Sequence, residues 1–237
     1  MSVAHSRRSL AARAYDTPGA QAFLPTEHTL PRLRAAAATC QGCPLYRNAT
    51  QTVFGEGAER ARVMMIGEQP GDSEDLAGRP FVGPAGRVLD AALEAAGIPR
   101  DEVYVTNVVK HFKFTLRGER RIHDKPTHYE VAACRPWLSG ELALVAPDIV
   151  VVLGATAAQS LLGRTFRVTK ERGIERATSL APHTFATVHP ASVLRAPDEA
   201  QREEARTAFI ADLRAVGACY RRLREAQVTG GAGASRA

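Results

Sequence analysis

The chain has 237 residues and a mass of 25.5 kDa, with 45% apolar, 24% charged and 6% aromatic residues. That apolar share excludes a wholly disordered chain, and no run approaches the ~18 consecutive apolar residues of a membrane span. The length suits one good hydrophobic core and allows, without requiring, a second domain.

Lys and Arg number 31 against 25 Asp and Glu, for a net charge of +6 and a pI near 9.4. The lysines are Lys110, Lys113, Lys125 and Lys170, so arginine carries nearly all of the positive charge. Its planar fork suits phosphate, yet an Arg- and Ala-rich chain also reflects coding bias, and charge raises nucleic acid only modestly as a partner. Cysteines stand at 40, 43, 134 and 219. They are few for a disulfide scaffold and no signal peptide precedes them, which points to a reducing cytoplasm. The first fifteen residues carry Arg7, Arg8 and Arg13 without an acid but lack a sustained apolar face. Residues 1–30 are expected to be a flexible segment, 31–227 one domain, and 228–237 a flexible tail ending in TGGAGASRA. No internal repeat is present.

In chain order, the apolar run 61–67 (ARVMMIG) reads as a buried strand. A helix over 84–96 sets Val88, Leu89, Ala92, Leu93 and Ala96 on one stripe and stops at Gly97. A second strand, 103–109 (VYVTNVV), is followed by a basic loop and a helix over 127–146. Thr127 and Glu130 form that helix's capping box, and Val131, Leu138, Leu142 and Val145 face inward. Strand 148–154 (DIVVVLG), a short helix 155–162, strand 184–188 (TFATV) and a closing helix 198–225 complete the pattern. Strand alternating with helix predicts a three-layer α/β/α domain around a central four-stranded parallel sheet. Ligands in such sheets bind beyond the carboxyl ends of the strands.

Unusual residues gather at those ends. The first strand runs into Gly67-Glu68-Gln69-Pro70-Gly71-Asp72. Gly and Pro there are turn punctuation, which leaves Glu68 and Gln69 unexplained. Phe81 sits in the loop Gly78-Arg79-Pro80-Phe81-Val82-Gly83-Pro84, where a lone Phe is more often core than platform. Asn107 is a polar residue in an apolar strand, and its amide needs partners from a loop or a ligand. His189 precedes a turn in His189-Pro190-Ala191-Ser192-Val193-Leu194-Arg195, a place for a structural hydrogen bond or a proton or charge role. Each residue alone is weak, but their convergence on one sheet edge marks an active site.

GEQPGD, GRPFVGPAG, TNVVKHFKF and HPASVLR in this order resemble the uracil-DNA glycosylase superfamily, specifically its iron–sulfur branch. Within it the chain is most similar to the X-type class, which crosslinks itself to uracil-containing DNA; family 4 enzymes look like GEAPG and lack the RRIH loop. The likeness spans roughly residues 38–224. It implies that Phe81 stacks on uracil and that Asn107 reads its N3–H and O4, a pattern cytosine reverses. It implies that His189 supports charge developing on uracil O2, while Glu68, Gln69 and Asp72 line the sugar side. Gly71, Ser192 and Arg195 would hold substrate, the last two at the DNA backbone. Ala191 departs from the family, which commonly shows serine after the His-Pro pair.

The stretch KHFKFTLRGERRIHDK (110–125) is a basic run interleaved with Phe112 and Phe114, a fair single-strand DNA signature, although most such runs are solvated faces. Arg120-Arg121-Ile122-His123 matches the X-type loop, in which the histidine bonds to C1′ of the sugar; Glu119 stands where that class usually has lysine. The resemblance thus makes His123 the nucleophile and Arg121 a substrate contact. A neutral imidazole held at C1′ would outcompete water, with Glu68 accepting its other proton. Without the resemblance, His123 reads as an exposed loop residue.

Cys40-x-x-Cys43 and Cys134 offer three soft ligands. By count Cys219 is the fourth, but it shares helical spacing with Val216 and Leu223, which suits core packing. The resemblance puts His111 in that place instead and implies a structural 4Fe–4S cluster, while three Cys and one His would equally hold zinc. The implied partners are uracil-containing DNA, single-stranded or double-stranded, with free uracil as product and no membrane, for a monomer in the cytoplasm. Two other functions fit the same residues: an ordinary turning-over glycosylase, and a silent binder of uracil or abasic DNA.

Overall fold

A computed structural model describes residues 17–233. Four strands form one parallel sheet in the order β2-β1-β5-β6: β1 (Val63–Gly67), β2 (Val103–Asn107), β5 (Ile149–Leu153) and β6 (His183–Thr187). Such strands are buried on both faces, which is why they read as continuous apolar runs rather than as an alternation.

Their side chains alternate between two apolar layers. Met64, Ile66, Tyr104, Val150 and Val152 face helix α1 (Leu30–Ala37) and helix α4 (His128–Val145). Val63, Met65, Val103, Val105 and Val151 face helix α3 (Pro84–Ala96) and the long helix α8 (Glu199–Gly233). The expected three layers and the expected four-stranded parallel sheet are both present. Thr127 and Glu130 form their capping box at the start of α4.

Shorter helices follow the strands: α2 (Asp72–Ala77), α5 (Ala155–Leu161), α6 (Val168–Glu171) and α7 (Pro190–Leu194). Chain order reverses between β1 and β5, which opens a crevice at their carboxyl ends.

The structure departs from the expected pattern in three places. The segment expected to be flexible to residue 30 is built from Thr17 onward: Ala20 is buried, and Gly19 N–H donates to Gly42 O. Its first sixteen residues lie outside the described ones. At the other end α8 continues to Gly233, into the expected tail, while residues 234–237 lie outside the described ones. Finally, the basic loop after β2 is a β-hairpin, β3 (Phe114–Arg117) with β4 (Arg120–His123), turning at Gly118. Only the four residues Phe114–Arg117 alternate apolar with polar, too short a run to stand out in a charged stretch, and Arg121 adds tertiary contacts.

Candidate active site and metal centre

A cavity of about 410 Å³ opens at the crevice between β1 and β5. Glu68, Phe81, Asn107, His123, His189 and Arg195 line it, together with Gln69, Gly71 and Ser192. That volume falls within the range of small-molecule sites. The structure therefore brings together every sequence-predicted pocket residue except Asp72 and Arg121.

Asn107 ends β2 and is 3% exposed, yet its Oδ1 has no hydrogen-bond partner. A buried acceptor of that kind is costly unless a ligand supplies the donor. Phe81 holds its ring beside it from a left-handed backbone, φ +56°. This strained conformation survives because Gly86 of α3 lies directly beneath. A Cβ on Gly86 would stand 1.7 Å from the Phe81 carbonyl oxygen. Gly67 is equally constrained, since a Cβ there would come within 2.3 Å of Asn107 Oδ1 and 2.9 Å of Phe81 Cζ. Neither glycine stood out in the sequence from ordinary turn residues.

His189 packs against Phe81 with ring centroids 6.1 Å apart. Its Nδ1 accepts from the Ala191 N–H at 3.2 Å, so the ring proton resides on Nε2. Burial pushes its pKa down to about 4, helped by the charges of Arg195 and His123. His189 is thus a neutral donor of a single Nε2–H at neutral pH. Arg195 has no carboxylate partner among the described residues and leaves its charge at the cavity. The Ser192 hydroxyl donates to His189 O at 2.7 Å, so its proton closes the turn rather than reaching outward.

His123 ends β4 with its side chain half exposed, and its ring lies 6.1 Å from that of Phe112. The expected hydrogen bond to Glu68 is not formed: Nε2 and Oε1 stand 3.9 Å apart, an ion-pair spacing, and Glu68 Oε1 is buried without a partner. The two groups belong to separate elements. Glu68 is held by Val109 N–H donating to its carbonyl at 3.0 Å, and His123 rides the hairpin.

Two other expectations are corrected. Asp72, first residue of α2, lies outside the cavity and pairs with Arg121 at 2.6 Å. Arg121 itself is no outward contact. It bonds Asp75 at 2.6 Å and Thr50 at 3.1 Å, and its guanidinium lies 5.5 and 5.1 Å from the Phe112 and Phe114 ring centroids. It pins the hairpin to α2 through a carboxylate, Asp75, that is wholly buried. Gln69 lines the cavity, and its amide is also engaged within the protein. Its Nε2 donates to Lys113 O and Asp124 O, and its Oε1 accepts from Lys113 N–H, so the amide ties the two feet of the hairpin together. Glu74 does similar work unnoticed in the sequence, accepting from Gly71 N–H and Gly83 N–H and so joining the two loops that bound the pocket.

Cys40, Cys43 and Cys134 are buried in the apolar layer facing α1 and α4, whereas Cys219 is buried in the opposite layer. Burial above all raises the Cys43 thiol to about 11 and the Cys134 thiol to about 12, with Cys40 adding to the first and Cys43 and Cys40 to the second. Cys40 Sγ accepts from Gly42 N–H at 3.4 Å and Trp137 Nε1–H at 3.3 Å, and Cys134 Sγ accepts from Lys110 N–H at 3.2 Å. Buried sulfurs receiving N–H donors suit thiolates that bind metal. His111 adjoins this group at the end of the chain segment carrying Lys110. Its Nε2 lies 2.9 Å from Thr52 Oγ1, whose own proton goes to Ala37 O. The imidazole must therefore be the donor in that contact, which leaves Nδ1 free to ligate.

Among the described residues, the trio of ligand atoms within 4.8 Å of one another is Glu175, His183 and Cys219.

Residues 54–214 match the family described as the uracil DNA glycosylase superfamily. The chain belongs to that superfamily. It is 40% identical over 157 residues to a Type-4 uracil-DNA glycosylase of Thermotoga maritima, covering 66% of this chain and 78% of that one. It is 35% identical over 178 residues to the Type-4 uracil-DNA glycosylase of Sulfurisphaera tokodaii (72% of this chain, 78% of that one). Against the Type-4 uracil-DNA glycosylase of Pyrobaculum aerophilum it is 36% identical over 175 residues (71% and 86%). The sheet-edge cavity and its lining lie within the matched span of this glycosylase-superfamily domain.

Proposed function

We propose that this protein excises uracil from DNA and then becomes bonded to the abasic sugar through His123. The observation that carries the reading is the placement of His123 in the same cavity as Phe81, Asn107 and His189. A base-excising pocket needs only the last three.

A flipped uracil would stack on Phe81, with Asn107 Oδ1 accepting its N3–H and the amide donating to O4. As the C1′–N1 bond breaks, its electron pair leaves on uracil, and His189 Nε2–H donates to the O2 that gains the charge. The sugar becomes oxocarbenium-like beside the carboxylate of Glu68. A ring nitrogen of His123 then gives its lone pair to C1′, forming the new bond. The proton on the other ring nitrogen is lost to Glu68 or to solvent. Arg195 supplies a cation for the DNA backbone.

Cys40, Cys43, Cys134 and His111 would hold a 4Fe–4S cluster, which would staple the N-terminal segment to α4. Three buried cysteines in one apolar layer, with N–H donors on Cys40 and Cys134, support a thiolate metal site, and the likeness to iron–sulfur glycosylases favours a cluster over a single zinc ion.

Denaturing electrophoresis of the protein with a uracil-containing oligonucleotide tests the reading. A denaturant-resistant protein–DNA band is expected, with one uracil released per adduct. Free uracil with an unretarded abasic strand would establish a turning-over glycosylase. Binding without release would establish a silent binder.

A further inference from the structure

Lys110 is the most deeply buried cation among the described residues, with its side chain 1% exposed, and the chemistry of excision does not use it. Its ammonium donates to Thr106 Oγ1 at 2.6 Å, to the Asn107 carbonyl at 2.8 Å and to Glu141 Oε2 at 2.5 Å. All three protons are placed, and Glu141 is saturated from the other side. Its Oε1 accepts from Gly55 N–H at 2.9 Å and from the Tyr104 hydroxyl at 3.0 Å, and the Thr106 hydroxyl reaches both of its oxygens.

An ion pair buried this deeply gives up the hydration of both charges, and well-packed apolar residues often serve stability as well. Its advantage is a single permitted geometry. That geometry is imposed on the backbone of Asn107, whose amide has little freedom: its Oδ1 faces Gly67 at a distance that leaves no space for even a methyl group. The turn is held from its other side by Val108 N–H donating to Gly67 O and Val109 N–H donating to Glu68 O.

We infer that Lys110, anchored by Glu141, is a positioning residue that aims the Asn107 amide at the base and so sets uracil affinity and selectivity. The inference rests on the reading of Asn107 as the base-reading group. Lys110 touches no substrate atom; it acts through the Asn107 carbonyl.

The test is a pair of equilibrium titrations on the metal-loaded full chain, one with free uracil and one with DNA carrying a tetrahydrofuran abasic site. Uracil needs the aimed amide, whereas tetrahydrofuran DNA has no base to read. Lys110→Met is expected to weaken uracil binding about tenfold, in line with loss of one charge-assisted contact, and to leave tetrahydrofuran DNA within about twofold. A purely structural role would weaken both ligands together. Should Lys110→Met fail to fold, Thr106→Val and Glu141→Gln loosen the ammonium while keeping its charge, and the same split is expected at smaller size. Asn107→Asp, run in parallel, separates the two layers of the argument. If it weakens uracil and the Lys110 and Glu141 variants do not, Lys110 has no positioning role. If Asn107→Asp leaves uracil binding unchanged, the base-reading assignment itself falls.

Discussion

His123 Nε2 and Glu68 Oε1 face each other across the cavity at 3.9 Å, and the Glu68 oxygen has no other partner. A buried, unbonded carboxylate oxygen beside a half-exposed imidazole is an unfinished contact. Closing it by about 1 Å would make the hydrogen bond that orients a nucleophilic histidine. Asn107, Phe81 and His189, the residues proposed to excise uracil, do not depend on that closure. His123→Ser is therefore expected to abolish the denaturant-resistant adduct while uracil release persists within about tenfold of the parent rate. An adduct of undiminished yield in that variant would remove His123 as the nucleophile.

Base reading is tested at Asn107. Asn107→Asp replaces a donor and an acceptor by a group that only accepts, which suits the cytosine N4 amine better than uracil O4. Uracil excision is expected to fall by about 10²-fold or more, and discrimination against cytosine to relax. Single-turnover rates on matched oligonucleotides read both effects, and unchanged uracil activity would contradict the assignment.

The close approach at Gly67 makes a sharper test of pocket geometry. A methyl group there would meet Asn107 Oδ1 and Phe81 Cζ, both ends of side chains that line the cavity rather than backbone, so the strain falls on the pocket. Gly67→Ala is expected to keep its unfolding temperature within a few degrees while losing about 10²-fold in excision rate, the scale of a 1 Å misplacement. Parent-like excision would show that Asn107 and Phe81 have more freedom than their contacts imply.

The sheet was legible because burial on both faces writes each strand as an apolar run, and α3 was bounded by its stripe and its Gly97 stop. The pocket residues were legible where polar groups interrupted apolar strand ends, as at Asn107 and Glu68. Contacts between distant segments were not. Nothing local distinguishes Arg121 as the pin of a hairpin from Arg120 as an exposed cation, because the difference lies in Asp72 and Asp75 on another element. The same holds for Gly67 and Gly86, whose role is space left for Asn107 and Phe81, and for Lys110, whose partner Glu141 lies a helix away. Asp72 shows the converse error. A carboxylate next to a pocket loop looks like sugar-side chemistry until its own partner is seen.

Acid sensitivity follows from His189. Its pKa near 4 in the fold lies below the ordinary value of 6.5, so the folded state holds the neutral ring and the unfolded chain takes the proton more readily. Above pH 6.5 both states are neutral and the group has no effect on stability. Stability is lost as pH falls from 6.5 towards 4, by at most about 3 kcal/mol from this residue. His189→Gln is expected to make that part of the stability curve less steep in denaturant titrations, the rest of the decline remaining with His111, which burial likewise holds at about 4. A parallel decline in parent and variant would place the acid sensitivity elsewhere.

The metal centre carries the most divergent outcomes. The protein is expected to be brown, with broad visible absorbance that a strong reductant bleaches, since thiolate-bound iron is coloured and zinc is not. Cys43→Ala and Cys134→Ala are each expected to lose the colour, because their thiols share one apolar layer with Cys40. Cys219→Ala is expected to keep it: that thiol lies across the sheet from the other three, beside Glu175 and His183, and accepts from Arg222. His111 discriminates further. With Nε2 donating to Thr52, its free Nδ1 would be the ligating atom of the proposed cluster, so His111→Ala should make the iron labile to a chelator. His111→Cys should retain it, thiolate being the more usual ligand. Iron and zinc analysis alongside the spectrum reads every arm. A colourless protein with stoichiometric zinc would refute the cluster. Loss of iron in Cys219→Ala, with full retention in His111→Ala, would reverse the choice of fourth ligand and require α8 to reach the opposite face of the sheet.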